Sequence, residues 1–397
     1  MKQIRKLVTA LVVLTLASLA QAQGSKVFQD GRYWVEETSG TINSARNVKV
    51  IADAGAVRVQ GTGQPNVNYL IRKRVVAGSE QDARRQFDKF RVTATNSGDT
   101  AIIKGTCMND SGRSRLSVNY EIETPQTVGL VYMRSGGGGL TVNNINGRVD
   151  GETGGGDIRL DAINGPVSAT SGGGTIEIGT VGGDLKVETG GGDIRIRMAN
   201  GELNAQSGGG NIWIESSAHN AEVETGGGAI EIHRVGGALR AESGGGDLDI
   251  GDVGGAASVE TGGGGIRLAS AKGAVRAETG GGNISLSGLW GGVNASSGAG
   301  SITAEFVGKP ANMSESRLET SVGNIRVWLP SGFPVSVDAS VDVGQERSIE
   351  SDFPELKIRS EGDNFGPREV YAKGAINGGG ASLKINTNTG SIQIRKK

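Results

Sequence analysis

The sequence predicts an all-β protein folded as a parallel β-helix, a β-solenoid of 18-residue coils with atypical capping ends. Three observations carry that prediction. A Ser or Thr followed by glycines recurs at a constant interval, at Ser135, Thr153, Ser171, Thr189, Ser207, Thr225, Ser243, Thr261, Thr279 and Ser297. Within each unit, two short segments alternate apolar and polar residues. Glycine supplies 69 of 397 residues without the every-third spacing of collagen. A fixed period of this size means stacked supersecondary units rather than a core closed by distant contacts. Apolar residues still make up 36% of the chain, and their regular alternation excludes a disordered linker.

Residues 1–22 read as an export signal. Lys2, Arg5 and Lys6 form a charged start, Leu7 to Ala20 an apolar run, and Ala20-Gln21-Ala22 a small-x-small cleavage site. The mature chain is expected to begin at Gln23. The apolar run is too short to span a membrane comfortably, and no later segment is long enough to do so. Residues 23–134 lack the 18-residue rhythm and read as a β-rich N-terminal cap. In it, Val48-Lys49-Val50 and Val57-Arg58-Val59 are strand-like, and Ser79 to Phe90 is the one helix, with Ser79 as a possible N-cap. Cys107 is the single cysteine, so it has no disulfide partner within the chain, and it is expected to be a buried structural residue.

Residues 135–304 are the regular repeats. With the anchor Ser or Thr as position 1, position 6 is always Ile or Leu, from Leu140 to Ile302, and position 8 is apolar, as in Leu160, Ile178 and Ile196. Position 7 is mostly polar, so this is a strand with one buried face. Position 13 is Gly147, Gly165, Gly183, Gly201, Gly237, Gly255, Gly273 and Gly291, broken only by His219. A glycine there predicts positive φ at a corner. Positions 15 and 17 form a second strand, such as Leu185 with Val187. Stacked in register at about 4.8 Å per coil, the nine full repeats predict a rod roughly 45 Å long, its handedness expected to be right-handed as in the commoner class. Position 17 alternates Ala169, Val187, Ala205, Val223, Ala241, Val259 and Ala277, and the anchors alternate Ser and Thr in step. This indicates a 36-residue duplication with alternating bulk. Outward, Arg159, Glu177 and Arg195 are expected to form a charge ladder. Glu224, Glu242, Glu260 and Glu278 stack as a like-charged column, with Arg240 and Arg276 placed to neutralise it; a cation site is the sharper alternative. Residues 305–397 resume the pattern loosely after an insertion of about 14 residues past Glu305, with degenerate repeat strands in SVGNIRVWLP (321–330) and NTGSIQI (388–394).

These strands carry a resemblance. SGGGTIEI and TGGGDIRI, the return strands of the VGGDLKVET type, the Leu329-Pro330 step and the ending SIESDFP…GGGASLKINTNTGSIQI are similar to the bacterial putative-adhesin family, exported β-solenoid proteins of unknown function. The resemblance covers roughly 45–397, and the chain is more regular than the family's pattern. It implies a non-enzymatic envelope or surface protein, with no catalytic residues to carry over.

Composition narrows function by exclusion. Forty-one basic and 42 acidic residues leave a net charge of −1, so nothing points to nucleic acid. The residue after each glycine run varies among Asp157, Thr175, Asp193, Asn211 and Ala229, which breaks the recurring Asp of calcium-binding nonapeptide rolls. Ice binding lacks a Thr-x-Thr array, and phosphate cradling lacks a following helix and Lys-Ser/Thr. A polysaccharide-active enzyme would need long loops and clustered carboxylates that uniform coils leave no room for. His219 and His233 fall at different repeat positions, so a shared metal site is not expected. Trp213, at outward position 7, and Trp290, at a corner, could stack on sugar rings; with His219 they are the candidate partner contacts. The expectation is a non-catalytic exported protein, in the periplasm, envelope or medium, that needs no cofactor. Its partner is a cell surface, glycan or envelope protein. A periplasmic structural or stress-interaction role is the alternative.

Overall fold

The computed structural model describes residues 21–43, 45–108, 116–307, 314–362 and 368–397. The segment read as an export signal, 1–22, lies outside them except for Gln21 and Ala22, which open a first strand, Gln21–Asp30. The fold is the expected all-β solenoid. Every 18-residue unit gives two strands, such as Ile158–Ile163 and Val167–Ser171, and these stack into two long sheets, largely parallel. Register is kept for coil after coil: Ile158 lies beside Ile176, Ile176 beside Ile194 and Ile194 beside Ile212. The opposite sheet stacks Val167, Leu185 and Leu203 in the same way.

The interior follows from the strand period. Position 6 is sealed in every coil, from Leu140 to Ile302, with no member more than 2% exposed. Each such side chain contributes on the order of 1.5–3 kcal/mol of burial. In the column of position 17, Val187 stands between Ala169 and Ala205, and Val223 between Ala205 and Ala241. The alternation lets a large side chain of one coil project over a small one in each neighbour, as close packing requires.

The anchor residues close the opposite corner. Ser207 is buried, its Oγ donates to the Gly192 carbonyl of the preceding coil at 2.9 Å, and it accepts from the Gly210 amide at 2.9 Å. The hydroxyl-to-carbonyl bond recurs from Ser135 to Ser297 and continues in the degenerate coils at Thr320 and Thr387. A buried hydroxyl without partners would cost roughly 1–3 kcal/mol, so each anchor depends on both bonds. The glycines at positions 2 and 4 make room for this arrangement. A Cβ on Gly210 would lie 2.1 Å from the Gly192 carbonyl oxygen, whereas one on Gly209 would meet nothing within 4 Å.

The position-13 glycines have a different cause from the one expected. None has a left-handed φ. They are small because coils approach closely: a Cβ on Gly165 would sit 2.4 Å from the Gly147 oxygen, and one on Gly201 would sit 2.5 Å from the Asp184 nitrogen. Stacking, not turn conformation, selects glycine here.

The ends are interleaved. The coil of strands Asn47–Ala52 and Ala56–Thr62 lies between the later coil Thr100–Cys107 and Ser117–Pro125 and the still later one Leu130–Ser135 and Leu140–Ile145. The stack therefore already runs through the region ahead of Ser135. At the other end, the final strands Ala381–Thr389 and Ile392–Lys396 insert between the coil Ser316–Val322 and Ile325–Leu329 and the coil Val335–Gly344 and Ile349–Ser351. Antiparallel strands then cover the outermost coils: Phe90–Ser97 and Val67–Val75 at one end, Arg368–Ile376 at the other. They shield edges that would otherwise template further pairing.

The helix spans Glu80–Phe87, and the Ser79 hydroxyl accepts from the Asp82 amide at 3.2 Å as its N-cap. It ends before Phe90, which starts a strand. Cys107 is exposed, not buried. It ends its strand beyond Gly105, the last residue of that strand to face the core, with its backbone N–H held by Asp53 Oδ2 at 3.0 Å.

Two measurements test this account. Gly209→Ala should leave stability within about 1 kcal/mol of the parent, while Gly210→Ala should lower it by about 2–4 kcal/mol; thermal melts of the pair decide, and equal losses would refute the stacking explanation. The second concerns Asp352 in the outermost C-terminal coil. The backbone N–H of Lys396, then Arg395, hold its carboxyl below the usual range. A depressed carboxylate stabilises above its unfolded value of about 3.9 and loses that contribution as pH falls through the folded value. The protection of amides around 392–396, measured against the intrinsic exchange rate at each pH, should therefore fall below about pH 4, and Asp352→Asn should remove most of that pH dependence.

Candidate binding surface

With the inward columns committed to packing, chemistry is left to the outward ones. On the first sheet, position 7 carries the expected ladder in part. Arg159 Nε meets Glu177 at 2.9 Å in the next coil, but Arg195 turns to Asp193 of its own coil, also at 2.9 Å. Arg197 reaches Asp161 at 3.0 Å, two coils away. Gly179 makes that span possible, since a Cβ there would lie 1.8 Å from Asp161 Oδ1.

Trp213 occupies the same column between Arg195 and Glu231, half-buried. His233 meets it edge-on, with ring centroids 5.6 Å apart and planes at 82°, and His233 Nε2 lies 2.9 Å from Glu231 Oε1. The structure thus joins His233, not His219, to Trp213. His219 is exposed in the corner that follows, with its carbonyl accepting from Ser217 Oγ at 3.4 Å. Trp290 is 42% exposed at a corner four coils further on, about 19 Å along the stack. Trp213, His219 and Trp290 therefore do not form one site.

On the second sheet, Glu224, Glu242, Glu260 and Glu278 stand in register. Arg240 pairs with Glu242, and Arg276 with Glu278 at 2.7 Å. These arginines neutralise alternate members of the column. Among the described residues, no group of three or more His, Cys, Asp and Glu could hold a metal ion.

Beside this column runs a groove at positions 14–16, which sequence reasoning missed because those positions vary from coil to coil. One stretch of about 690 Å³ crosses six coils, from Arg148 to Arg240. A second of about 390 Å³ shares Ala238 and Leu239 with it and extends to Asn294 and Glu315. The walls are fixed by bonds between coils. Asp184 Oδ1 accepts from the Glu202 amide at 3.0 Å, Asn220 Oδ1 from the Ala238 amide at 2.8 Å, and Asn204 Nδ2 donates to Glu222 at 3.2 Å. Asn204 Oδ1 is enclosed and receives no hydrogen bond.

Because Trp213 packs outside the core, Trp213→Ala should change stability by less than about 1 kcal/mol; a larger loss in denaturant titration would make it a structural residue.

No family model matches this sequence, and no curated protein does. Among solved structures, the chain is similar to a putative cell adhesion protein from Clostridium sporogenes, at 10% identity over 91% of this chain and 100% of that one, with a TM-score of 0.20. It is also similar to a putative lipid binding protein from Parabacteroides distasonis, at 13% identity over 74% of this chain and 96% of that one, with a TM-score of 0.24. At these scores, neither defines a shared fold.

Proposed function

We propose that this chain is an exported, non-catalytic protein of the cell envelope or surface, an adhesin-like scaffold whose outward columns bind a surface, glycan or protein partner. The observation that carries this reading is the groove, open along its whole length and continued from coil to coil at positions 14–16. Binding along a track needs such a slot; catalysis needs a closed site that excludes water and concentrates perturbed groups at one point. Here, outward carboxylates are spread along the rod and engaged with arginines and amides of neighbouring coils. The export signal at 1–22 supports the address.

The test is protease shaving of intact cells that carry a C-terminally tagged full chain, with the same cells opened as a control. Digestion in intact cells supports a surface adhesin. Protection until the envelope is opened would replace adhesion with the periplasmic interaction role, and turnover of any polysaccharide by the purified chain would overturn the non-catalytic reading.

A further inference from the structure

We infer that the groove over positions 14–16 is a binding track for an uncharged linear glycan laid parallel to the solenoid axis. This rests on the scaffold reading above and names its ligand class. Four features of the groove select that ligand.

The first is shape. The stretch from Arg148 to Arg240 crosses six coils, about 24 Å at the coil rise, and continues past Ala238 into the second stretch. Only an extended polymer fills so long a slot. The second is step. The wall advances about 4.8 Å per coil, near the length of one sugar residue of an extended β-linked chain, so each sugar lies beside about one coil. A peptide strand advances about 3.3 Å per residue and drifts out of step.

The third is hydrogen bonding. The backbone along the floor is already used between coils: Leu185 N donates to Glu202 O at 2.9 Å, Leu203 N to Asn220 O at 3.0 Å and Ala221 N to Ala238 O at 2.9 Å. It has nothing left for a peptide backbone, each of whose polar groups needs a partner. What faces the groove is side-chain amide, carboxylate, guanidinium and ammonium, from Asn220, Glu202, Arg148 and Lys186, which suits hydroxyls. The fourth is charge. Arg148, Lys186 and Arg240 balance Asp184, Glu202 and Glu222, so the track has no surplus charge to select a polyanion such as nucleic acid.

The experiment is calorimetric titration of the full mature chain with β-1,4-linked hexamers of glucose and of N-acetylglucosamine, and with the corresponding dimers. At least one hexamer should bind at least about tenfold tighter than its dimer. Ala238 is exposed where the two stretches meet, so Ala238→Trp should block the track and weaken the hexamer at least about tenfold while the melting temperature is kept. Absence of hexamer binding, or affinity independent of length, overturns the assignment. Hexamer binding that survives Ala238→Trp but is lost in Trp213→Ala also overturns it, by moving the glycan to the other sheet while leaving the scaffold reading intact. Protease shaving tests that reading separately.

Discussion

Everything in this molecule depends on one buried contact, the anchor hydroxyl between two glycines of successive coils. Ser207 donates to the Gly192 carbonyl and accepts from the Gly210 amide. The bond ties each coil to the one before it and fixes the corner where the second strand ends. It also explains why three positions are so constrained. The anchor must carry a hydroxyl, and the third residue after it must lack a Cβ. The carbonyl acceptor must belong to the equivalent glycine of the preceding coil. From Ser135 to Ser297 the bond is repeated at a constant 18-residue interval, and the register holds for ten anchors. The same device persists at Thr320 and Thr387 after the spacing has become irregular. This marks it as the element the stack keeps when other features of the repeat are lost.

The inward and outward columns are decoupled as a result. Inside, bulk alternates between Ala and Val, and position 6 holds only Ile and Leu. Outside, neighbouring coils carry Arg, Glu, Trp or Ser at one position without any shift in register. Exposed charge pairs of this kind contribute little to stability individually, so their identity is open to selection for binding. The surface can change one coil at a time while the core stays as it is.

Much of the fold was legible because strand period and coil period are both printed in the sequence. Position 6, the return strand, the Ala and Val alternation and the Ser79 cap all stand where the residues placed them. Two readings failed for related reasons. The position-13 glycines owe their identity to the atoms of the adjacent coil, which a linear reading does not bring near, and not to their own backbone conformation. Cys107 has the parity of an inward residue, but its strand ends where the core does. The surface was less legible still. Trp213 and His233 are separated along the chain by more than a full coil and meet only after one coil stacks on the next. The groove is formed by variable residues whose common property is their place in the coil. Aromatics and histidines stand out in a sequence, whereas the groove is lined by Ala, Asn and charged pairs.

The interleaved ends give the rod a direction in time. A chain made from its N-terminus completes the coil Val335–Gly344 and Ile349–Ser351 before the strands that belong beneath it, Ala381–Thr389 and Ile392–Lys396, exist. That coil must wait, or be lifted, until residues 381–396 arrive. The regular array can grow by local stacking, whereas its far end closes only through long-range pairing, the slower kind of step. Without Ala381–Thr389 and Ile392–Lys396, the two coils on either side lose the strands that join them, so the seam at this tip depends on residues far along the chain from both.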